Sequence, residues 1–396
     1  MTMDVGLCYE TVNPARGGCE HYISDLARRL ARDRHTVHLF ACEYDAAALP
    51  DSLVFHRIPK PVGPRFRRPW AFAESVAKAL AESPVDVSMG FDKTWGQDIL
   101  YPQGGLHSAS RAHNVLKHRP GVVRSLARWV RVLDPTSYSF ARLERRQYLT
   151  PPVPVILVNS RMVRGHFGQY LGIPENRVRV LYSAIDPDRF TTSDRAAARA
   201  TERAAWGVTT ETVGLFVAMN YRLKGLAPLL RSLVHVPRDR PFRLVVIGGK
   251  KFEPYRTLAK DLGVADRVTF LGFRPDPRSA YFGADFLVHP TFYDPGSLVA
   301  LEALACGLPV ITSRYNGNHE LLPEPPADYV VDDPHDAPEL GAKITGLLDP
   351  ERLPARRAAA AEAARRWTFD DHYRELLGVF EEVVARKREA TVTSTL

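Results

Sequence analysis

Cysteine is scarce: 396 residues contain four, Cys8, Cys19, Cys42 and Cys306. They show neither close pairing nor metal-ligand spacing, which argues against a disulfide scaffold and a zinc module and predicts reduced thiols in a reducing compartment. The N-terminus lacks a basic region followed by an apolar run, and no uninterrupted apolar stretch is long enough to span a bilayer. A cytoplasmic protein is therefore expected. No third glycine follows "ARGGCE" at the spacing a dinucleotide fingerprint requires, which weighs against a nicotinamide dehydrogenase even though Glu43 would suit a ribose contact. A composition of 45% hydrophobic and 25% charged residues excludes a disordered chain and predicts a substantial core.

An acidic counterweight is also missing from the first half. Residues 1–190 hold 26 Lys+Arg against 18 Asp+Glu, whereas the remainder balances at 27 and 27. The segment from Arg111 to Arg146 carries nine basic residues against Asp134 and Glu144, with Trp129, Tyr138 and Phe140 interleaved. "PRFRRPWAF", 64–72, repeats the pattern on a smaller scale. Such a stretch is either a solvated helix face or a surface for something anionic, lipid headgroups or nucleic acid. No nucleic-acid recognition motif accompanies it, so a basic nucleic-acid-binding protein stays a rival class without a module to support it.

The order of elements is regular. "DVGLCYE", "GGCEHYISDLARRLARD" and "HTVHLFA" read as strand, helix and strand, with Ile23, Leu26, Ala27 and Leu30 on one helical face. Further strands are expected at "VDVSMGF", "DILYPQ" and "PVILVNS". A polar, then alanine-rich join begins near residue 186. After it, "TVGLFVA", "FRLVVIGG", "RVTFLGF", "DFLVHPT", "LPVITS" and "DYVVDD" alternate with helical stretches. Continuous apolar strands separated by helices imply parallel sheets covered on both faces. The expected fold is α/β: two Rossmann-like domains, 1–186 and 187–370, facing one cleft, and a C-terminal helix, 371–396.

Within "FYDPGSLVALEALACG", 292–307, Pro295 and Gly307 bound a helix of about 296–306. Leu298, Val299, Leu301, Leu304 and Ala305 leave it no polar face, so a buried Glu302 needs a partner. That partner is an arginine of the fold or the diol of a ribose. The amides of Ser297, Leu298 and Val299 form a helix start able to hold a diphosphate, and Asp294 just before it is placed to receive hydroxyls of whatever the diphosphate carries.

An acid, seven residues, Glu302 and then "ALACGLPVITS" resemble the signature of retaining GT-B glycosyltransferases of family 4. The family has Glu at both ends; here the first is Asp294. "NPARGGCEHYISDLARRL" is similar to the family's Gly-Gly loop, which implies donor contacts at Gly17 and Gly18. "NYRLKG" is similar to its basic loop, which maps Arg222 and Lys224 onto the diphosphate. The resemblance also implies that the C-terminal helix, entered through "RRWTFDDHYREL", returns to the first domain. Within the family, "MGFDKTWGQDILYPQGG" and the basic stretch after it resemble the lipopolysaccharide core glucosyltransferase I group. That implies a hexose donor such as UDP-glucose, a saccharide or lipid-linked saccharide acceptor in cell-envelope glycan synthesis, and an anionic membrane surface met by 111–146 on the inner face of the cytoplasmic membrane. Gly105 stands where that group often has Asp, and nearby His107 is either an acceptor-positioning group or an exposed loop residue without a role. The implied chemistry is displacement of the nucleoside diphosphate with retention, its negative charge met by Arg222, Lys224 and the helix amides, with Asp294 beside the sugar. Neither a metal nor another cofactor is required, and no nucleic-acid partner is implied. A nucleotide-sugar epimerase of the same architecture would use the same donor features without an acceptor.

Overall fold

The computed structural model describes residues 2–132 and 134–395. It divides into two compact units: Met1–Ala112, Ser125–Leu181 and Asp371–Leu396 form the first, His113–Arg124 and Tyr182–Asp370 the second.

In the first unit, seven strands form one sheet: β1 (Asp4–Cys8), β2 (Thr36–Ala41), β3 (Val54–Arg57), β4 (Val87–Gly90), β5 (Ile99–Leu100), β6 (Val155–Val158) and β7 (Val178–Val180). Their order is β3-β2-β1-β4-β5-β6-β7, and every pairing is parallel. β1 is buried from Val5 to Cys8, as a central strand covered on both faces must be. Gly6 packs closely there: a Cβ would lie 3.0 Å from Val85 and 3.3 Å from Phe40, so a larger residue would have to push those side chains aside. The helix Gly18–Arg32 buries Ile23, Leu26, Ala27 and Leu30, the face its spacing predicts. β3 and β7 were not foreseen in the sequence; both are short outer strands with little apolar signal.

The long helix Phe369–Thr395 lies on this unit from Asp371 onward. It buries Leu376 and Phe380, its His372 ring meets the Tyr22 hydroxyl at 2.7 Å, and Glu382 pairs with Arg179 at 2.8 Å. The C-terminal helix thus returns to the first domain.

The second unit repeats the plan with β8 (Thr212–Ala218), β9 (Phe242–Gly248), β10 (Val268–Gly272), β11 (Phe286–His289), β12 (Val310–Ser313) and β13 (Val330–Val331). The order is β10-β9-β8-β11-β12-β13, again parallel throughout. All six apolar segments expected as strands form them. The alanine-rich join folds as a helix, Arg195–Ala205, capped by Asp194. Arg199 and Arg203 reach the nearly buried Asp285 at 2.6 and 3.3 Å and fix that helix to the unit.

The contacts depart from the sequence-based boundaries at 113–124, which lies inside the expected first domain but packs with the second unit. His335 holds the Leu116 carbonyl at 2.8 Å, and the His113 ring lies 5.0 Å from Tyr293 and 5.1 Å from Tyr315.

Candidate active site in the second unit

Connections leave β8 and β11 toward opposite sides of the sheet, so the loops after their carboxyl ends, 219–225 and 290–297, flank a topological switch point where α/β sheets place ligands. Gly225 joins the two loops. At φ +83°, a Cβ on it would lie 2.1 Å from the Pro290 carbonyl oxygen, which only glycine avoids. Asn220 caps the Leu223 amide at 3.1 Å, and the Leu223 carbonyl accepts from the Phe292 amide at 2.9 Å.

These contacts aim Lys224 across the switch point. Its Nζ donates to Asp294 Oδ2 at 2.6 Å, and both side chains are mostly buried, 21% and 15% exposed. Burial alone would raise the Asp294 carboxyl, but Lys224 and His289 carry it below its ordinary value. The shorter acid therefore pairs directly with the lysine. His289, buried at the end of β11, is pushed down to about 3, first by burial and then by Lys224, and so is neutral. Its Nδ1 faces the Ser297 hydroxyl at 3.5 Å.

The helix spans Leu298–Ala305, shorter than expected, so Pro295 belongs to the loop and Ser297 is the N-cap residue. The amides of Leu298 and Val299, as the first two of the helix, have no carbonyl partner within it. The helix is also not buried all round. Leu298, Val299, Glu302 and Ala305 are half-buried and share one stripe at i, i+1, i+4 and i+7, while Ala300, Leu301, Ala303 and Leu304 are buried. Glu302 lies on the same open stripe as the first helical residues. Within the fold its hydrogen-bond partner is a tyrosine rather than an arginine: the buried Tyr281 hydroxyl donates to Oε2 at 2.5 Å. Burial raises the Glu302 carboxyl against that hydrogen bond and the pull of Arg189 and Arg278.

Arg222 is exposed, and its Nη2 sits 3.2 and 3.3 Å from the two ring nitrogens of His118. His118 belongs to 113–124, a contact that no local signal could reveal across 104 positions. Tyr281 was missed in the same way, and His289 looked like a packing residue.

In the first unit, Gly17 is extended at φ 170° and precedes the helix that Gly18 begins. A Cβ on Gly17 would meet Glu20 Oε2 at 3.2 Å. His107 is not an exposed loop residue. It opens the helix His107–Leu116, its amide donates to Glu144, its ring stacks on Phe140 at 4.1 Å, and burial, then Lys93 and Arg111, push it down to about 4. The structure thus gathers Lys224, Asp294, Ser297, Leu298, Val299 and Glu302 around one switch point of the second unit, with Arg222 on the same loop as Lys224. Gly17, Gly18 and His107 belong to the first. Among the described residues, no three His, Cys, Asp or Glu side chains are grouped to hold a metal ion.

Residues 16–189 match the model of Glycosyltransferase Family 4, and residues 198–367 that of Glycosyl transferases group 1. A probable transglycosylase of Burkholderia thailandensis is 28% identical over 94% of this chain and 95% of its own. The lipopolysaccharide glucosyltransferase WaaG of Escherichia coli is 23% identical over 89% of this chain and 90% of its own. A crystal structure of WaaG superposes with a TM-score of 0.73 at 22% identity, over 96% of this chain and 98% of that one. Anabaena HepE in complex with UDP-glucose gives 0.70 at 18%, over 96% and 100%. With two parallel Rossmann-like sheets, a switch point furnished with Lys224 and Asp294, and both halves matched in order, the chain belongs to the GT-B glycosyltransferases, a family 4 domain followed by a group 1 domain.

Proposed function

We propose that the chain is a retaining hexosyltransferase that moves a sugar from a nucleoside diphosphate to a saccharide or lipid-linked saccharide of the cell envelope. The observation that carries this reading is the Lys224–Asp294 pair beside the open start of the helix Leu298–Ala305. A cation and free amides converge where a departing diphosphate gathers charge, which is where stabilisation lowers the barrier most. In this reading Arg222 joins Lys224 at the diphosphate, Oε1 of Glu302 receives a ribose hydroxyl while Tyr281 holds Oε2, and Asp294 orients Lys224 and meets the sugar. The charge is met by side chains and amides, so the step calls for no metal ion. UDP-glucose is the first donor to test, since HepE was solved with it and WaaG is named a glucosyltransferase.

The reading includes a peripheral position on an anionic membrane, on its cytoplasmic side. Among the described residues, no helix is long and apolar enough to cross a membrane. The helix Val122–Val132 nevertheless exposes Val122, Val123, Leu126, Trp129 and Val130 at i, i+1, i+4, i+7 and i+8, one apolar stripe with Arg124 and Arg128 between its members. An exposed stripe of this kind beside arginines suits an acidic lipid surface. Of the basic segment 111–146, residue 133 and the side chains of 131 and 132 lie outside the described residues.

The test is a melting screen of the full chain with UDP, GDP and ADP, with Glu302→Ala alongside. A nucleotide at about 100 times its Kd stabilises the folded state by about 2.7 kcal/mol. One nucleotide should raise the melting temperature, and Glu302→Ala, still folded, should lose that rise; a variant that keeps it rules out the ribose contact.

A further inference from the structure

The chain joins the second unit for residues 113–124 and meets there the loops of the switch point. The His113 ring lies against Tyr293 of the loop 290–297, and His335, which holds the Leu116 carbonyl at 2.8 Å, has its ring 4.8 Å from Phe292 of the same loop. Burial holds both imidazoles below their ordinary value, so neither brings charge to a site built on Lys224 and Asp294. Arg124 closes the segment: its Nε donates to the His118 carbonyl at 2.6 Å and its Nη2 to that of Leu116 at 3.1 Å. Two carbonyls held by one planar guanidinium, one of them also by His335, fix the turn between them.

His118 is the residue this turn presents. Nη2 of Arg222 lies 3.2 and 3.3 Å from its two ring nitrogens. Near-equal distances to both place Nη2 over the ring face, since in the ring plane it would collide with the carbon between them. Guanidinium groups stack on such faces. Arg222 is exposed and long, so without a support it would sample many rotamers, and a donor diphosphate would have to order it on binding. His118 is half-buried and tied at its own carbonyl by Arg124, so the support is stiff where the arginine is not.

We propose that 113–124 is a strap of the donor site, with His118 the positioning residue that fixes Arg222 for the diphosphate and Arg124 the anchor that holds His118. Its link to the diphosphate rests on the glycosyltransferase reading of Arg222. The same contacts divide the arginines of the helix Val122–Val132: Arg124 is half-buried and committed to the strap, whereas Arg128 is exposed and left to meet lipid.

Titration calorimetry on the full chain, with UDP, GDP and ADP in turn, tests it. His118→Ala should weaken the nucleotide that binds the parent by about fivefold, the ordering cost of one long side chain, and Arg222→Ala by about thirtyfold, the loss of one charge-assisted hydrogen bond. In the Arg222→Ala background neither His118→Ala nor Arg124→Ala should weaken it further, because a support without its arginine has nothing to position. His118→Phe keeps a ring face and should restore affinity to within about twofold of the parent. The His118 variants should melt as the parent does. If no nucleotide binds the parent, or if Arg222→Ala binds as the parent does, the donor reading of Arg222 fails and the proposal with it. If Arg222→Ala weakens binding but His118→Ala does not, if the two losses multiply in the double variant, or if His118→Phe binds as weakly as His118→Ala, the donor reading stands and the proposal is overturned.

Discussion

Asp294→Asn isolates the contact on which the donor site turns, because it keeps the side-chain shape and removes the charge facing Lys224. The pair is 2.6 Å long with side chains 21% and 15% exposed, between the exposed and buried limits. Exposed pairs contribute about 0–1 kcal/mol, and breaking a fully buried one costs about 3–5 kcal/mol, so a loss of about 2 kcal/mol is expected here. For a unit of this size that corresponds to about 4–8 °C in melting temperature. The Asp294 carboxyl is held below its ordinary value, so the pair's contribution is present above the unfolded pKa of about 3.9 and lost as pH falls through the lower folded value. The difference between parent and variant should therefore be full at pH 7 and close progressively below pH 4. Calorimetry over that range measures it, and isothermal titration with UDP supplies the second reading. If Asp294 orients Lys224, the variant should lose UDP affinity in the direction of Lys224→Ala, because the lysine is no longer held toward the diphosphate. Equal melting temperatures at pH 7 would refute the ion pair, and UDP affinity unchanged in the variant would refute the orienting role.

His289 supplies a second dependence on pH. Its folded pKa is about 3 against about 6.5 unfolded, so the unfolded state binds the extra proton and stability falls with pH below 6.5 by about 1.4 kcal/mol per unit. Urea melts at pH 7, 5.5 and 4.5 should show that slope reduced in His289→Asn; the same slope would exclude burial of a neutral imidazole. At the membrane stripe, Trp129→Ser with Leu126→Ser should abolish co-sedimentation with phosphatidylserine-containing vesicles, and Arg128→Gln by itself should weaken that binding and make it less sensitive to salt. A parent protein that stays in the supernatant removes the membrane reading.

Local pattern sufficed for much of the fold. The six strands of the second unit were legible because a parallel strand buried on both faces is a short continuous apolar run, and the helix Gly18–Arg32 because its buried face recurs every three to four residues. The acid at 294, Glu302 and Lys224-Gly225 stood out because each breaks or punctuates such a run. β7 has three residues and one buried position, too little for a pattern.

What an isolated residue touches was decided elsewhere. Glu302 looked like a lone charge in a helix with no open face, yet only the assembled unit shows the half-buried stripe it shares with Leu298 and Val299, and the Tyr281 hydroxyl 21 positions away that holds it. The allegiance of 113–124 to the second unit, and with it the meeting of His118 and Arg222, depends on packing between segments about a hundred residues apart. The sequence by itself determined which segments are strands and helices and where acids and bases interrupt them, because those properties follow from spacing along the chain. Tertiary structure alone decided the strand order that creates each switch point, the stripe of a helix left open to it and the partner of each buried charge, because these depend on contacts whose free energy no local window contains.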